Sequence, residues 1–147
     1  MLRRRTLTTL AAAAAALTLM SACSTASESG DLQDFSIEGA WTLASGSGPD
    51  GDIAPVADAP IKLEVDGAGK ASGNGGCNSL ILGDVAVEGT KVSFGMVGST
   101  MMACDEAIMK VETAYIGALE NVAEGSIDDG QLVLTGPDTE LRYDAAS

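Results

Sequence analysis

The sequence has no histidine and is poor in aromatic and basic residues, and each shortage excludes a class of function. Without histidine there is no imidazole general base, no Ser-His-Asp triad and no His-ligated metal site. The 8 Lys and Arg face 21 Asp and Glu, and a net charge of −13 is unsuited to binding nucleic acid phosphates. Aromatic residues make up 3% of the chain, too few for a sugar-stacking platform. The length of 147 residues suits a single domain with its own core.

The N-terminal segment has the layout of a bacterial export signal. Arginines at positions 3–5 precede an uncharged, alanine-rich stretch, and small residues then lead to Cys23. The ending resembles a lipobox, in which the cysteine becomes the lipidated first residue of the mature protein. We therefore predict a lipoprotein signal peptide over residues 1–22 and lipid attachment at Cys23. The alternatives are an ordinary cleaved signal and a retained anchor, although the uncharged run is at the short limit for a membrane span.

A lipid on Cys23 would place the mature protein at the bacterial cell envelope. The acidic surface is repelled by anionic head groups, so membrane attachment would depend on the lipid and not on a basic patch. A lipobox cysteine typically receives a diacylglycerol, and two acyl chains anchor stably where one binds only marginally. Residues 23–36 are rich in Ser, Glu, Asp and Gly and predict a flexible tether. The alternative for this stretch is an ordered strand around Leu32 and Phe35.

Beyond residue 36 the pattern predicts a β-rich domain with one helix. Apolar residues recur every three or four positions from Ile108 to Val122, which predicts a helix over 105–122 that covers a sheet with this face. Asp105 is a candidate N-cap. The Gly- and Pro-containing stretch 45–59 predicts a loop. Strands are predicted over residues 40–43, 61–65, 70–73, 80–82, 85–87, 91–94, 131–134 and 140–143.

Motifs that could bind a phosphate or a metal are incomplete. The Gly-rich residues 67–72 lack the first glycine of a Walker A loop and have Glu64 in its place, so they predict a hairpin turn. Acid pairs such as Asp50/Asp52 lack the ligand spacing of a calcium loop. We accordingly predict no catalytic residue, no metal site and no cofactor. A hydrolase with two converging carboxylates is kept as a hypothesis, and it requires two close, buried acids with raised pKa values.

Two cysteines, Cys77 and Cys104, are left after lipidation. They do not form a CxxC redox motif. In an exported chain such a pair predicts a disulfide. A reactive thiol is the alternative, but the acidic residues after Cys104 would raise its pKa and disfavour reactivity. Two unpaired, buried cysteines are the third possibility.

Several of these local signals form one ordered pattern. It runs from GAWTL at residues 39–43 through GNGGCN at 73–78 and TMMAC at 100–104 to LRY at 141–143. This pattern resembles the META domain family, which includes the HslJ-like heat-shock lipoproteins. The resemblance covers the whole predicted folded part, and we place the META-like domain at residues 37–144.

The resemblance implies an α+β fold, a mostly antiparallel and partly barrel-like β-sheet with one main helix packed on it. It also implies an envelope location and a link to stress tolerance, secretion or motility. No catalytic residues are established for the family, so none can be carried over. Asn78 and Thr100 match motif positions, and we interpret them as structural; the binding residues stay undetermined.

We therefore expect a non-enzymatic envelope lipoprotein that binds or supports another envelope protein or contributes to stress resistance. A binding module for a small hydrophobic ligand is the alternative, because an antiparallel barrel can enclose one ligand.

Overall fold

A computed structural model describes residues 35–147, which form ten strands and one helix. Residues 1–34, and with them Cys23, the signal peptide and most of the predicted tether, lie outside the described residues. The elements are β1 (Gly39–Gly48), β2 (Gly51–Ile53), β3 (Lys62–Val65), β4 (Lys70–Asn74), β5 (Ser79–Glu88), β6 (Lys91–Phe94), β7 (Gly98–Ser99), α1 (Glu106–Glu120), β8 (Glu124–Asp128), β9 (Gln131–Gly136) and β10 (Thr139–Ala145).

The strands form one antiparallel sheet that curls into a ring. Its order is β10-β9-β8-β6-β5-β4-β3-β1, and the ring closes because β1 also pairs with β10. The short strand β2 pairs with β1, and the short strand β7 pairs with β5. The junction of β6 and β8 is short, with Lys91 opposite Glu124. The helix α1 packs against β1, β2 and β10. The predicted α+β fold class is confirmed: the sheet is antiparallel and forms a partly barrel-like ring, and one helix packs on it.

The core lies inside this ring and under the helix. Period-two alternation builds it: Leu63 and Val65 of β3 are buried, whereas their neighbours Lys62 and Glu64 are exposed. The helix contributes Tyr115, which is fully buried beside Tyr143 of β10. The hydroxyl groups of these two tyrosines lie 3.0 Å apart and share one hydrogen bond, so each has a polar partner inside the core.

The predicted loop over residues 45–59 is wrong in its first half. β1 continues to Gly48 and turns back into β2, so residues 46–53 form a hairpin. Glycine permits this because β1 runs close to β10: a Cβ on Gly46 would lie only 2.7 Å from Cδ2 of Leu141. Local turn signals indicated a loop, but the strand is completed by pairing with a distant part of the chain.

The predicted separation of the strands at 80–82 and 85–87 is also wrong, because β5 runs unbroken through Gly83 and Asp84. Gly83 has φ +67° and lies opposite Ala71, where the register with β4 shifts by one residue. The glycine thus forms a β-bulge inside one long strand. The sequence reading also missed the short strand β7 and the strand β8. In β8, Gly125 leaves room for the Phe35 ring, since a Cβ there would lie 2.7 Å from it.

The remaining strands and the helix lie close to their predicted positions. The turn after β3 is confirmed, with Oδ1 of Asp66 accepting hydrogen bonds from the backbone N–H groups of Ala68 and Lys70. Asp105 occupies the N-cap position of α1, but its side chain makes no capping hydrogen bond. Within residues 35–147, no helix combines the length and the apolar character needed to cross a bilayer.

Candidate functional site

The two motif cysteines meet at one side of the ring. Cys77 and Cys104 form a disulfide, with their Cα atoms 5.9 Å apart. The bridge joins the loop between β4 and β5 to the segment that leads into α1. The predicted pairing is therefore confirmed, and the reactive-thiol interpretation does not apply to these residues.

A buried carboxylate lies beside the disulfide. Glu112 projects from α1 and is only 5% exposed. Its Oε2 accepts hydrogen bonds from the backbone N–H groups of Cys77 at 3.0 Å and Asn78 at 2.6 Å. Its Oε1 accepts a third from Nδ2 of Asn78 at 2.5 Å. The carboxylate thus replaces its lost water with three donors, which is what makes a buried charge tolerable.

Asn78 extends the network to the third segment of the motif. Its Oδ1 accepts hydrogen bonds from Oγ1 of Thr100 at 2.9 Å and from the backbone N–H of Met102 at 2.7 Å. Asn78 is 3% exposed, so both ends of its amide are committed to protein partners. Glu112, Asn78 and Thr100, which we call the buried polar network, therefore connect the helix, the β4–β5 loop and the 100–104 segment.

The glycines of the motif make room for this network. A Cβ on Gly75 would lie 2.7 Å from Cγ and Oε2 of Glu112, so only glycine lets the loop approach the carboxylate this closely. Gly76 has φ +106°, a conformation that L side chains rarely adopt. Its backbone N–H donates a hydrogen bond to Oδ1 of Asn74 at 2.7 Å, which tightens the turn. The sequence GNGGCN is thus explained by a turn that wraps around one carboxylate.

The buried polar network has the geometry of a structural site that holds separate segments of the chain together. Every donor that points at Glu112 is a protein N–H, and the three bonds use both carboxylate oxygens. Glu112 is the one buried acid among residues 35–147, so the paired buried carboxylates of a hydrolase are not found there. The structural interpretation of Asn78 and Thr100 agrees with these contacts.

The sequence reading missed the role of Glu112, although a signal was present. Glu112 lies three residues before Tyr115 and seven before Leu119, which places it on the buried face of the helix. A charge on that stripe predicts a buried partner. The partners themselves are backbone amides of a distant loop, and no side-chain pattern reveals them.

An open groove lies between α1 and the β1–β2 hairpin. Its volume is about 610 Å³, within the range of small-ligand pockets. The helix packs closely on the hairpin beside it, because a Cβ on Gly48 would come within 3.0 Å of Ala118 Cβ. The groove is lined by Asp50, Asp52, Ala54, Ala107, Lys110, Val111, Thr113 and Ala114.

The groove combines an apolar surface with charges. Ala54, Val111 and Ala114 supply apolar contact area, whereas Asp50 and Asp52 supply two carboxylates from the hairpin. Such a lining suits a ligand or peptide segment that is apolar with a cationic group. Among the described residues, no group of three or more His, Cys, Asp or Glu side chains is placed to hold a metal ion.

Comparison with known proteins agrees with the fold and with the motif. The META domain profile matches residues 31–147, which include every motif element described above. A solved structure, the NMR structure of a protein from Burkholderia xenovorans, is similar with a TM-score of 0.65 and 28% sequence identity. That similarity covers 80% of this chain and 88% of the other chain. No curated protein sequence matches the chain. The chain therefore belongs to the META domain family.

Proposed function

We propose that this protein is a non-enzymatic lipoprotein of the bacterial cell envelope whose META domain binds or supports another envelope protein or contributes to stress resistance. Cys23 would carry the lipid, and residues 24–36 would link it to the domain. The observation that carries the partner-binding part is the open groove between α1 and the β1–β2 hairpin. The proposal of a non-enzymatic role rests on the buried polar network, in which the polar motif residues are bonded to one another.

The groove favours a partner segment with basic and short apolar side chains. Asp50 and Asp52 would attract a basic group, and the whole chain has a net charge of −13 that steers cationic surfaces towards it. The apolar lining from Ala54, Val111 and Ala114 would bury a neighbouring aliphatic side chain. Lys110 adds a positive charge at the groove, which would discriminate against a uniformly basic segment.

The lipid anchor is tested by replacing the proposed attachment residue. The Cys23→Ala variant should move from the membrane fraction to the soluble exported fraction, because the acyl chains would be lost. Mass spectrometry of the mature N-terminal peptide should find a diacylglycerol on Cys23 in the unaltered protein. Membrane retention of Cys23→Ala that equals that of the unaltered protein would contradict the anchor.

The partner is tested by crosslinking from the groove in intact cells. A photoactivatable phenylalanine derivative at Ala107, which is exposed and lines the groove, should capture one envelope protein reproducibly. The matched control is the same group at Ala68, an exposed alanine in the β3–β4 turn. Equal capture from both positions, or none from Ala107, would contradict a partner in the groove.

A small hydrophobic ligand is the second candidate for the same groove. Its volume of about 610 Å³ and its alanine- and valine-containing lining favour this reading. An Ala107→Phe substitution should then weaken ligand-induced thermal stabilisation, whereas Ala68→Phe should not. Native mass spectrometry of the protein purified from its own membrane should detect the bound molecule.

A further inference from the structure

The methionines of the described chain are exposed, which is unusual for this residue. Of the six methionines in the sequence, four lie in residues 35–147. Met101 is 97% exposed, Met96 87%, Met102 59% and Met109 37%. Methionine commonly fills irregular gaps in cores, yet the core here is built without it. Four flexible thioether side chains are thus presented to solvent between residues 96 and 109.

The sulfur of Met109 lies beside Cys104. The backbone N–H of Cys104 donates a hydrogen bond to Sδ of Met109 at 3.4 Å, which brings this thioether from the helix back to the 100–104 segment. Met102 is two residues before Cys104, so its Cα lies within about 7.6 Å of the Cα of Cys104. Met101 is one residue further and points its side chain into solvent. Met101, Met102 and Met109 thus lie within nine residues of chain, and the bond from Cys104 to the Met109 sulfur brings the helix end of this stretch back to the segment that carries the other two.

The backbone that carries them is held in place. Met102 donates its N–H to Oδ1 of Asn78 at 2.7 Å, and Cys104 is joined to Cys77 by the disulfide. Met109 lies in the N-terminal part of α1. The side chains are long and mobile, but they start from fixed positions, so ordering them around a ligand costs side-chain entropy alone.

We propose that Met101, Met102 and Met109 form a binding site for a soft monovalent cation, Cu(I) or Ag(I). Neutral thioether sulfurs are soft ligands that select Cu(I) over hard cations such as Mg²⁺ or Ca²⁺. The chain has no histidine, and Cys77 and Cys104 are committed to the disulfide, so these sulfurs do not compete with stronger ligands in the domain.

The electrostatic environment favours a cation at this position. Asp105 and Glu106, both exposed, follow directly on the 100–104 segment. They would raise the local concentration of a cation without ligating it, since carboxylates prefer harder ions. The weak N–H···S hydrogen bond to Met109 is a small cost if that sulfur turns towards the metal. The site is separate from the groove and goes beyond the proposed function.

The test is a titration of the full chain, purified in detergent with its disulfide intact, with Ag(I) alone. The methyl NMR signals of Met101, Met102 and Met109 should shift together and saturate at about one equivalent, with much smaller shifts at Met96. Zn²⁺ should leave these signals unchanged. Cu(I), supplied with a chromophoric Cu(I) chelator as competitor, should be withdrawn from the chelator with the same stoichiometry.

Leucine variants give the matched comparison, because Leu conserves the volume of Met. A Met101→Leu/Met102→Leu/Met109→Leu variant should lose about tenfold or more in Ag(I) affinity, whereas Met96→Leu should stay within about twofold. Thermal unfolding of both variants without metal checks that the fold is unchanged. Absence of saturable Ag(I) binding would overturn the proposal and leave an exposed apolar surface for protein contact. Equal weakening by Met96→Leu would overturn the assignment of the three residues.

Discussion

Replacing Glu112 by glutamine tests whether the buried polar network stabilises the fold. The glutamate accepts three hydrogen bonds and donates none. A glutamine can place its oxygen towards the two backbone N–H groups, but its own NH₂ then faces Nδ2 of Asn78, donor against donor. A flip of Asn78 does not resolve the conflict, because its Nδ2 would then face the N–H of Met102.

The expected loss in the free energy of unfolding follows from the hydrogen bonds that Glu112→Gln changes. One buried hydrogen bond is lost, and Nδ2 of Asn78 keeps only its long 3.4 Å bond to the carbonyl oxygen of Met102, which costs about 1–3 kcal/mol. The two bonds that remain weaken because a charged acceptor becomes a neutral one, and the lower desolvation cost of a neutral amide offsets part of this. We expect Glu112→Gln to lower the free energy of unfolding by about 2–3 kcal/mol, which corresponds to roughly 8–12 °C in Tm.

A second substitution should restore the matching of donors and acceptors between residues 78 and 112, at the expense of the long 3.4 Å bond from Asn78 Nδ2 to the carbonyl oxygen of Met102. In Asn78→Asp/Glu112→Gln, the new carboxylate would accept from the glutamine NH₂ while its other oxygen still accepts from Thr100 and Met102. Asn78→Asp alone would set two carboxylates face to face, where Asn78 now lies 2.5 Å from Glu112. We therefore expect the double variant to be more stable than either single variant. If the two destabilising effects simply added, the double variant would be the least stable of the three.

The assay is urea unfolding of the oxidised protein, followed by circular dichroism. The control is Glu120→Gln, the same change at an exposed residue of the same helix, which should stay within about 0.5 kcal/mol of the unaltered protein. The reasoning is refuted if Glu112→Gln is as mild as that control, or if the double variant is less stable than both single variants.

The other predictions concern the tyrosine pair, the motif glycine and the disulfide. Burial raises the pKa of Tyr115 and Tyr143 above the ordinary value of about 10. The folded state thus keeps protons that the unfolded state loses, and the free energy of unfolding should fall above pH 10 by up to about 1.4 kcal/mol per pH unit for each tyrosine. Urea midpoints from pH 8 to 11 measure this, and the decline should diminish when both are changed to Phe. Gly75→Ala should cost about 1–3 kcal/mol by pressing a methyl group against Glu112, whereas Gly67→Ala, with open space around it, should be nearly neutral in the same unfolding assay. Replacing both cysteines of the disulfide by alanine should lower the free energy of unfolding by about 3–4 kcal/mol for a loop of this size, and peptide mapping without reductant should find the bridge in the purified protein.

Elements whose own residues define them could be predicted from the sequence. The helix over 106–120 has a continuous apolar stripe, and the β3 strand alternates strictly between buried and exposed positions. The turn at Asp66 depends on side-chain bonds to its own backbone. The cysteine pairing was also predictable, because the N-terminal segment favours export and two cysteines in an exported chain commonly form a disulfide.

Elements that depend on distant partners were predicted poorly. β2 exists because β1 continues past Leu43, and that continuation rests on pairing with β10. Gly83 reads as a turn residue from its neighbours, but strand β4 opposite it converts the same glycine into a bulge. A glycine in a short polar stretch looks like a turn residue from its neighbours in sequence. Only the strand that pairs with it decides whether it forms a turn or lies inside a strand.

The sequence by itself determined the acidic, histidine-free character of the protein, the helix, most strands and the family motif, since these follow from composition and short-range periodicity. The tertiary structure alone decided that Glu112 would be the acceptor at the centre of that motif. Its three donors come from one loop, more than thirty residues away along the chain. Two of those donors are backbone N–H groups, which every residue except proline has, so their direction is set only by the closed ring of strands and the helix packed against it.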